Sequence, residues 1–407
     1  RILLWPRWHS ATEKFKDNML LPLSWLKQFV PKLPPTSELA DLLMMHGLEV
    51  EEVIDQSASF DHVVVGEIVG VRPHPNADKL RLADVIIEPK GDSLEIVCGA
   101  PNIAVGQKVP VALLGAKLPN GMTIEKRAIR GVESNGMLCA ADELGLGKDH
   151  SGILVLDPKE VVGSPFSSAY GLDDVILDLA VPSNRSDLFS VRGLARESAA
   201  IIGVKSKIPK AKSQTPKKSD SGKVRVEVTD NKLCTLYQAQ VIRGLNVGES
   251  PAWVQQRLRA AGMRAINNVV DVTNYIMLEY GQPLHAFDAA NVVGPITVRL
   301  AHEKETLMTL DNKELQLDPT ILVIADDEGP IAIAGVMGGA STEISETTTS
   351  VLLECAWFDP TRDEIDEMAE EFGLHPLAIE DARKGHQRPK IEEYGDCLFV
   401  VLHTLEL

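Results

Sequence analysis

The sequence predicts a multidomain α+β chain, and three observations carry that expectation. The chain has 407 residues, enough for roughly two to four domains with cores of their own. Residues 62–150 alternate short apolar runs with turn residues, the pattern of a small β-sandwich or barrel. Residues 205–223, KSKIPKAKSQTPKKSDSGK, are rich in Lys, Pro and Ser with almost no apolar side chain, which reads as a linker.

Taken in order, the chain begins oddly. It opens on Arg1, and its apolar ILLWP is too brief for the core of a signal peptide. Met19 is the more natural start, and residues 1–18 read as a leader of unknown role. Residues 19–53 predict two short helices separated by PKLPPTSE. Thr36 or Ser37 is placed to cap the second, with Leu39, Leu42, Leu43 and Met44 on or near its apolar face. In the β-rich block the strands are VVVGEIVGV, LADVIIE, LEIVC and VPVALL. A strand VILDLAV, a turn PSNRSD and a helix VRGLARESAAIIG ended by Gly203 follow. Residues 224–360 form a mixed α/β block, with strands such as VRVEV, ITVRLA, TILVIAD, PIAIAGVMGG and SVLLECAWF around the helix PAWVQQRLRAAG. Residues 362–407 are highly charged and end in one apolar strand, CLFVVLHTL, with no further strand to pair with it.

Composition narrows the function classes. A hydrophobic share of 44% and a charged share of 24% are those of a soluble globular protein, and no run is long and apolar enough to cross a membrane. The five cysteines (Cys98, Cys139, Cys234, Cys355, Cys397) stand singly, which suits a reducing cytosol and argues against a zinc ribbon or a disulfide framework. The ten histidines include no HExxH pattern, so no metal site is expected. Neither a strand-to-helix glycine fingerprint nor a phosphate-binding GKS/T loop is present. The net charge of −17 argues against a wholly electrostatic nucleic-acid binder but leaves room for a local basic groove.

Seven motifs recur in one order: LPLSWLKQFV, HPNADKLRLADV, VCGAPNI, IRGVESNGMLCAADELGLG, PSNRSDLFSVRGLARE, NNVVDVTNYIMLEYGQPLHAFD and AGVMGG. With them, residues 19–360 resemble the N-terminal part of bacterial phenylalanine–tRNA ligase β subunits. The resemblance implies an oligonucleotide-fold β-barrel for tRNA binding at 62–150, inserted in a small α/β domain made of 19–61 and 151–204. After the linker it implies a mixed α/β editing domain at 224–360, which hydrolyses tyrosine wrongly attached to the phenylalanine tRNA. It also implies tRNA(Phe) and the ligase α subunit as partners, although the usual α-docking region is not in this sequence, and a cytoplasmic location. ATP and Mg2+ would serve the complete ligase, with no cofactor in this chain. The resemblance stops after residues 358–360. Residues 362–407 resemble instead the cytosolic N-terminal domain of CorA-type magnesium transporters, so the chain reads as chimeric or truncated. The rival functions are a non-catalytic tRNA-binding or assembly protein and, less favoured, a transporter fragment.

The candidate editing pocket follows from the same motifs. Glu354 interrupts the apolar run VLLECAWF, where an unpaired charge is costly to bury. On its residues alone it reads more readily as an outward-facing glutamate of an edge strand. The resemblance makes it the residue that recognises the tyrosine hydroxyl. His285, in QPLHAFD, alone reads as a packed structural histidine, and by resemblance as a site histidine that positions ester or water. Thr273 and Asn274, in DVTNY, match further pocket residues and otherwise read as a turn or helix cap. Ala334 and Gly335 match small residues that admit a ligand to the backbone, and otherwise read as a tight turn. No nucleophilic triad is visible, so direct attack by water is the simplest mechanism. For tRNA, Lys79, Arg81, Lys117, Lys126, Arg127 and Arg130 are the candidate phosphate contacts, with Asn76, Asn102 and Ser134 as polar contacts. The block has almost no aromatic residue, so its affinity is expected to be mainly electrostatic.

Overall fold

The computed structural model describes residues 18–147, 150–182, 184–209 and 224–358, with the backbone of two further strands at Lys390–Tyr394 and Cys397–Val401. All but the last residue of the expected leader, most of the linker and most of the segment 361–407 lie outside the described residues. The architecture is mixed α/β, with several separate sheets. Its described residues divide into two compact units, one drawn from 20–24 and 51–178, the other from 18–19, 25–50 and the residues from 179 onward.

The described chain starts with strand β1 (Asn18–Pro22), helices α1 (Leu23–Phe29) and α2 (Thr36–Met45), and strand β2 (Glu49–Asp55). The two helices fall where the sequence places them, but the cap of α2 differs. Pro35 is the N-cap residue, no side chain caps the helix, and Thr36 is already its first residue. The fixed φ of proline sets the chain at the entry, and the Pro35 carbonyl accepts the Leu39 amide at 2.9 Å. Leu39, Ala40 and Leu43 are buried, whereas Met44 is 46% exposed.

The β-rich block supplies β3 (Val63–His74), β4 (Ala77–Ile86), β5 (Leu94–Cys98), β6 (Lys108–Ala112), β7 (Arg127–Ile129), β8 (Val132–Ser134) and β9 (Met137–Leu138). Five of these form an antiparallel sheet in the order β5-β4-β3-β6-β9, and β7 pairs with β8 as a hairpin. A register shift between Ile68 and Gly70 bends β3, as bulges do. The Asn135 amide donates to the Glu95 carbonyl at 3.0 Å and the Val97 amide to Ser134 Oγ at 3.1 Å, which curls the β5 edge toward the β8–β9 segment. The unit runs beyond the expected 62–150. Phe60 before the sheet and Phe166 after it, on α3 (Phe166–Tyr170), share one core with Val63, Val65 and Leu118, their rings edge to face at 5.3 Å. Strand β10 (Val175–Ala180) then lies between β1 and β2.

Helix α4 (Val191–Ile201) is capped by Ser190, whose Oγ accepts the Gly193 amide at 3.0 Å. The mixed block that follows holds β11 (Val226–Val228), β12 (Cys234–Arg243), α5 (Ala252–Ala260), α6 (Asn268–Tyr280), β13 (His285–Asp288) and β14 (Ile296–Leu300). It continues with β15 (Thr306–Met308), β16 (Glu314–Gln316), β17 (Leu322–Ala325), β18 (Pro330–Ile333), β19 (Met337–Gly338) and β20 (Ser350–Phe358). One sheet has the order β11-β14-β17-β18-β19 and a second the order β12-β20-β13. They share a single core, with Cys234, Phe287 and Leu352 from the smaller sheet meeting Ile296, Val298, Leu322, Ile324 and Ile331 from the larger. Each sheet thus buries its apolar face against the other.

Near the end of the chain, one expectation is corrected. The apolar strand read as lacking a partner, β22 (Cys397–Val401), pairs antiparallel with β21 (Lys390–Tyr394), with Lys390 opposite Val401. The charged sequence before it, KIEEY, gave little strand signal because its side chains carry no apolar alternation.

Candidate functional site

The placement of His285 begins with α6. Asn267 caps that helix, its Oδ1 accepting the amides of Val269 and Val270 at 3.1 and 3.0 Å. Asp271, buried in the first turn, accepts Ser250 Oγ at 2.6 Å and the Ile266 amide at 2.7 Å. Gly281 ends the helix in the left-handed conformation, φ 78°, a position that favours glycine. Gln282 Nε2 then donates to the Pro283 carbonyl at 3.2 Å and to the Ala356 carbonyl at 3.4 Å, and β13 starts at His285.

Strand β13 pairs antiparallel with β20 so that His285 stands directly opposite Glu354, and Phe287 opposite Leu352. Directly opposed residues project from the same face of a sheet. This face carries the shared apolar core, and Glu354 is only 7% exposed. Burial alone drives its carboxyl pKa up to about 8 and lowers that of the His285 imidazole to about 4. At neutral pH the pair is therefore a neutral imidazole beside a largely protonated carboxyl group. Among the described residues no hydrogen bond or ion pair joins them. A neutral imidazole can take a proton from an attacking water, and a carboxyl group in an apolar setting can recognise a hydroxyl.

Small residues complete the surroundings. A side chain at Gly338 would come within 2.7 Å of His285 Cε1 and 2.8 Å of Nε2, so the imidazole lies against bare backbone. The His285 ring meets that of Phe287 edge to face at 4.5 Å. Ala334 is buried in the shared core, and Gly335, at φ 74°, faces Phe358, which a Cβ there would approach to 3.3 Å. The structure thus gathers His285, Glu354, Ala334 and Gly335 around one core. Thr273 and Asn274 come from a different element, helix α6. They lie inside α6 and not at a turn or cap, because the cap is Asn267, and Thr273 Oγ1 donates to the Val270 carbonyl at 2.7 Å. Among the described residues no hydrogen bond links either to His285 or Glu354. Two residues at this face escaped the sequence reading. Gly338 stood inside the AGVMGG motif, and Tyr237 was signalled only by the alternation of LYQAQV.

The candidate tRNA contacts divide in two. Lys79, Arg81, Lys117, Lys126, Arg127 and Arg130 are exposed. Of these, Lys126 pairs with Glu133 at 2.8 Å and Arg127 with Glu125 at 3.8 Å. The three polar candidates serve the fold. Ser134 is buried, accepting the Val97 amide and donating to the Gly136 carbonyl at 2.9 Å. Asn102 bonds the Ile153 carbonyl and amide, each at 2.9 Å, and Asn76 Nδ2 donates to the Arg130 carbonyl at 3.0 Å. A cavity of about 510 Å³ in this unit is bordered by Cys98, Arg127, Ser134, Glu143 and His150. Among the described residues no group of His, Cys, Asp and Glu is arranged to hold a metal, and no helix is long and apolar enough to cross a membrane.

Residues 63–165 match the family described as "Putative tRNA binding domain", and residues 233–401 match the family described as "B3/4 domain". The phenylalanine–tRNA ligase β subunit of Nitratidesulfovibrio vulgaris is 46% identical over 343 residues, covering 84% of this chain and 43% of the relative. That of Moorella thermoacetica is 47% identical over 348 residues, with the same coverage. The chain is homologous to phenylalanine–tRNA ligase β subunits over most of its length. It spans 43% of the length of these ligase β subunits. An N-terminal fragment of the phenylalanyl-tRNA synthetase β-subunit from Pyrococcus horikoshii aligns with 95% of this chain and 79% of the fragment, at 13% identity and a TM-score of 0.35. The B3/4 match continues to residue 401, across the segment expected to resemble CorA-type transporters. That expected resemblance finds no support, and the transporter reading is dropped.

Proposed function

We propose that the chain is the tRNA-binding and proofreading part of a phenylalanine–tRNA ligase β subunit. In this reading residues 62–150 are an oligonucleotide-fold barrel that contacts tRNA(Phe), set within an α/β domain of 19–61 and 151–204. Residues 224–360 hydrolyse tyrosine wrongly attached to that tRNA. One observation carries the hydrolytic assignment: His285 and Glu354 are opposed on an apolar sheet face, both desolvated and not bonded to each other.

Tyrosine differs from phenylalanine by one hydroxyl, and a pocket shaped for phenylalanine rejects that addition only weakly, so a second hydrolytic site adds discrimination. In the proposed step Glu354 bonds the phenol and His285 orients water toward the aminoacyl ester. Water adds to the ester carbonyl, the ester C–O bond breaks, and the tRNA hydroxyl leaves with a proton. Thr273 and Asn274 act from α6 at the margin of this pocket, and Ala334 and Gly335 leave room for the ligand. The ATP- and Mg2+-dependent ligation is assigned to the complete cytoplasmic ligase with its α subunit. Deacylation of Tyr-tRNA(Phe) and Phe-tRNA(Phe) by the full 407-residue chain is the test. Selective hydrolysis of the tyrosyl ester is expected. Equal rates at background would leave a tRNA-binding protein without proofreading.

A further inference from the structure

Tyr237 carries a buried hydroxyl with no hydrogen-bond partner. It lies on β12 opposite Ala356, while Ala239, two residues on, is opposite Glu354. Tyr237 and Glu354 are therefore diagonal neighbours on one face of the sheet, a separation that an aromatic side chain spans. No hydrogen bond joins them among the described residues, yet the Tyr237 hydroxyl is raised in pKa first by burial and then by the nearby Glu354 charge. The Tyr237 ring packs against Phe358 with centroids 6.5 Å apart, and Phe358 in turn lies against Gly335. A phenylalanine would fill that core position equally well. The hydroxyl is what packing leaves unexplained, because interiors seldom hold an unpartnered polar group unless something else supplies its bonds.

We infer that Tyr237 is a specificity-determining residue of this site: its hydroxyl donates to the phenolic oxygen of a bound tyrosyl group while Glu354 accepts the phenolic hydrogen. The inference rests on the reading of the site as one for a tyrosyl ester. A phenol is both donor and acceptor, so one ring satisfies both the Tyr237 hydroxyl and the Glu354 carboxyl group. A phenylalanyl ring satisfies neither, and both orphaned groups then count against it. The discrimination is thereby shared between two strands, β12 and β20, and does not rest on one carboxyl group.

The test is the affinity of the full chain for L-tyrosinamide and L-phenylalaninamide, measured by calorimetry on the natural sequence and on Tyr237→Phe. The variant is expected to bind tyrosinamide about fivefold more weakly, as one hydrogen bond implies, with phenylalaninamide unchanged. Its thermal midpoint is expected to hold or rise, since only an orphaned hydroxyl is removed. A merely structural tyrosine would instead lower the midpoint or weaken both amides alike, and either result overturns the inference, as does an unchanged tyrosinamide affinity. Wild-type protein that prefers tyrosinamide but fails to deacylate Tyr-tRNA(Phe) refutes the hydrolytic reading while leaving the role of Tyr237 intact. No preference in the wild type refutes the role of Tyr237 itself.

Discussion

His285 and Glu354 face each other across the β13–β20 ladder, two titratable side chains in direct register with neither hydrogen bond nor ion pair between them. Their shifts run in opposite directions from the same cause, loss of water, which penalises whichever form is charged. The pair is neutral where an ion pair would have been the simpler arrangement, and this has a measurable signature.

Stability should fall as the pH rises above neutrality. Glu354 is raised from 4.5 to about 8, so its contribution is complete below 4.5 and is lost as the pH climbs toward 8. His285 is lowered from 6.5 to about 4, so its contribution is complete above 6.5 and is lost as the pH falls toward 4. Between 4.5 and 6.5 the two slopes oppose each other, and above 6.5 that of Glu354 acts alone. The loss by the upper end of the window is about 2 kcal/mol. Urea unfolding across this range should show it, and Glu354→Gln should flatten the profile. A natural protein with no such decline would mean that the carboxyl group finds a partner.

Gly338→Ala should displace the imidazole. The added carbon would sit 2.7 Å from His285 Cε1, a contact that real side chains avoid, and overpacking of this kind costs about 1–3 kcal/mol. Tyr-tRNA(Phe) hydrolysis should drop while tRNA binding holds. In a His285→Ala background the stability loss from Gly338→Ala should largely disappear, because the clashing ring is gone. Additive losses would show that the clash is with other neighbours, such as Leu310.

Much of this arrangement was legible beforehand. The runs that became β3, β4, β5, β6 and β20 announced themselves because strands with a buried face need repeated apolar positions. The helix in NNVVDVTNYIMLEYGQPLHAFD did not announce itself: its residues suit strand and helix alike, and Thr273 and Asn274, read as a turn or cap, lie inside the helix that Asn267 caps and Gly281 ends. The opposition of His285 to Glu354 was not legible, since register between strands so distant in sequence is set by tertiary packing. Nor were the roles of Asn102 and Ser134, whose polar atoms read as surface contacts until the backbone groups they satisfy came into view. The orphaned hydroxyl of Tyr237 is a property of its surroundings and has no sequence signal.

Glu279 should prove a structural keystone of the helices next to the site. Arg192 on α4 donates to its Oε1 from Nε at 2.9 Å and from Nη2 at 2.7 Å, and Tyr275 donates to its Oε2 at 2.7 Å. The two charged side chains are only 12% and 9% exposed. Truncating one member of a buried pair strands the other, at about 3–5 kcal/mol, so Glu279→Ala should lower the urea midpoint sharply. Replacing both partners with apolar residues of similar volume should recover much of the loss. A double variant no better than the single one would place the cost in the Tyr275 bond instead.

If residues 62–150 bind tRNA, their affinity should fall steeply with salt, and the exposed cations should contribute unequally. Each phosphate neutralised adds about 0.7–0.9 to the log–log slope against salt concentration. Lys79, Arg81, Lys117 and Arg130 make no ion pair among the described residues, so each is available for a phosphate. Lys126 and Arg127 are held by Glu133 and Glu125 at 2.8 and 3.8 Å, and must give up these exposed pairings first. Such surface pairs are weak, so the difference is one of degree. The paired variant Lys79→Ala with Arg81→Ala should reduce the slope by about 1.5, and Lys126→Ala with Arg127→Ala by less. Titration of tRNA(Phe) against the full chain at several salt concentrations reads both. Equal reductions would mean that the acidic partners do not compete with phosphate, and a flat slope in the natural protein would reduce these cations to solubilising charge.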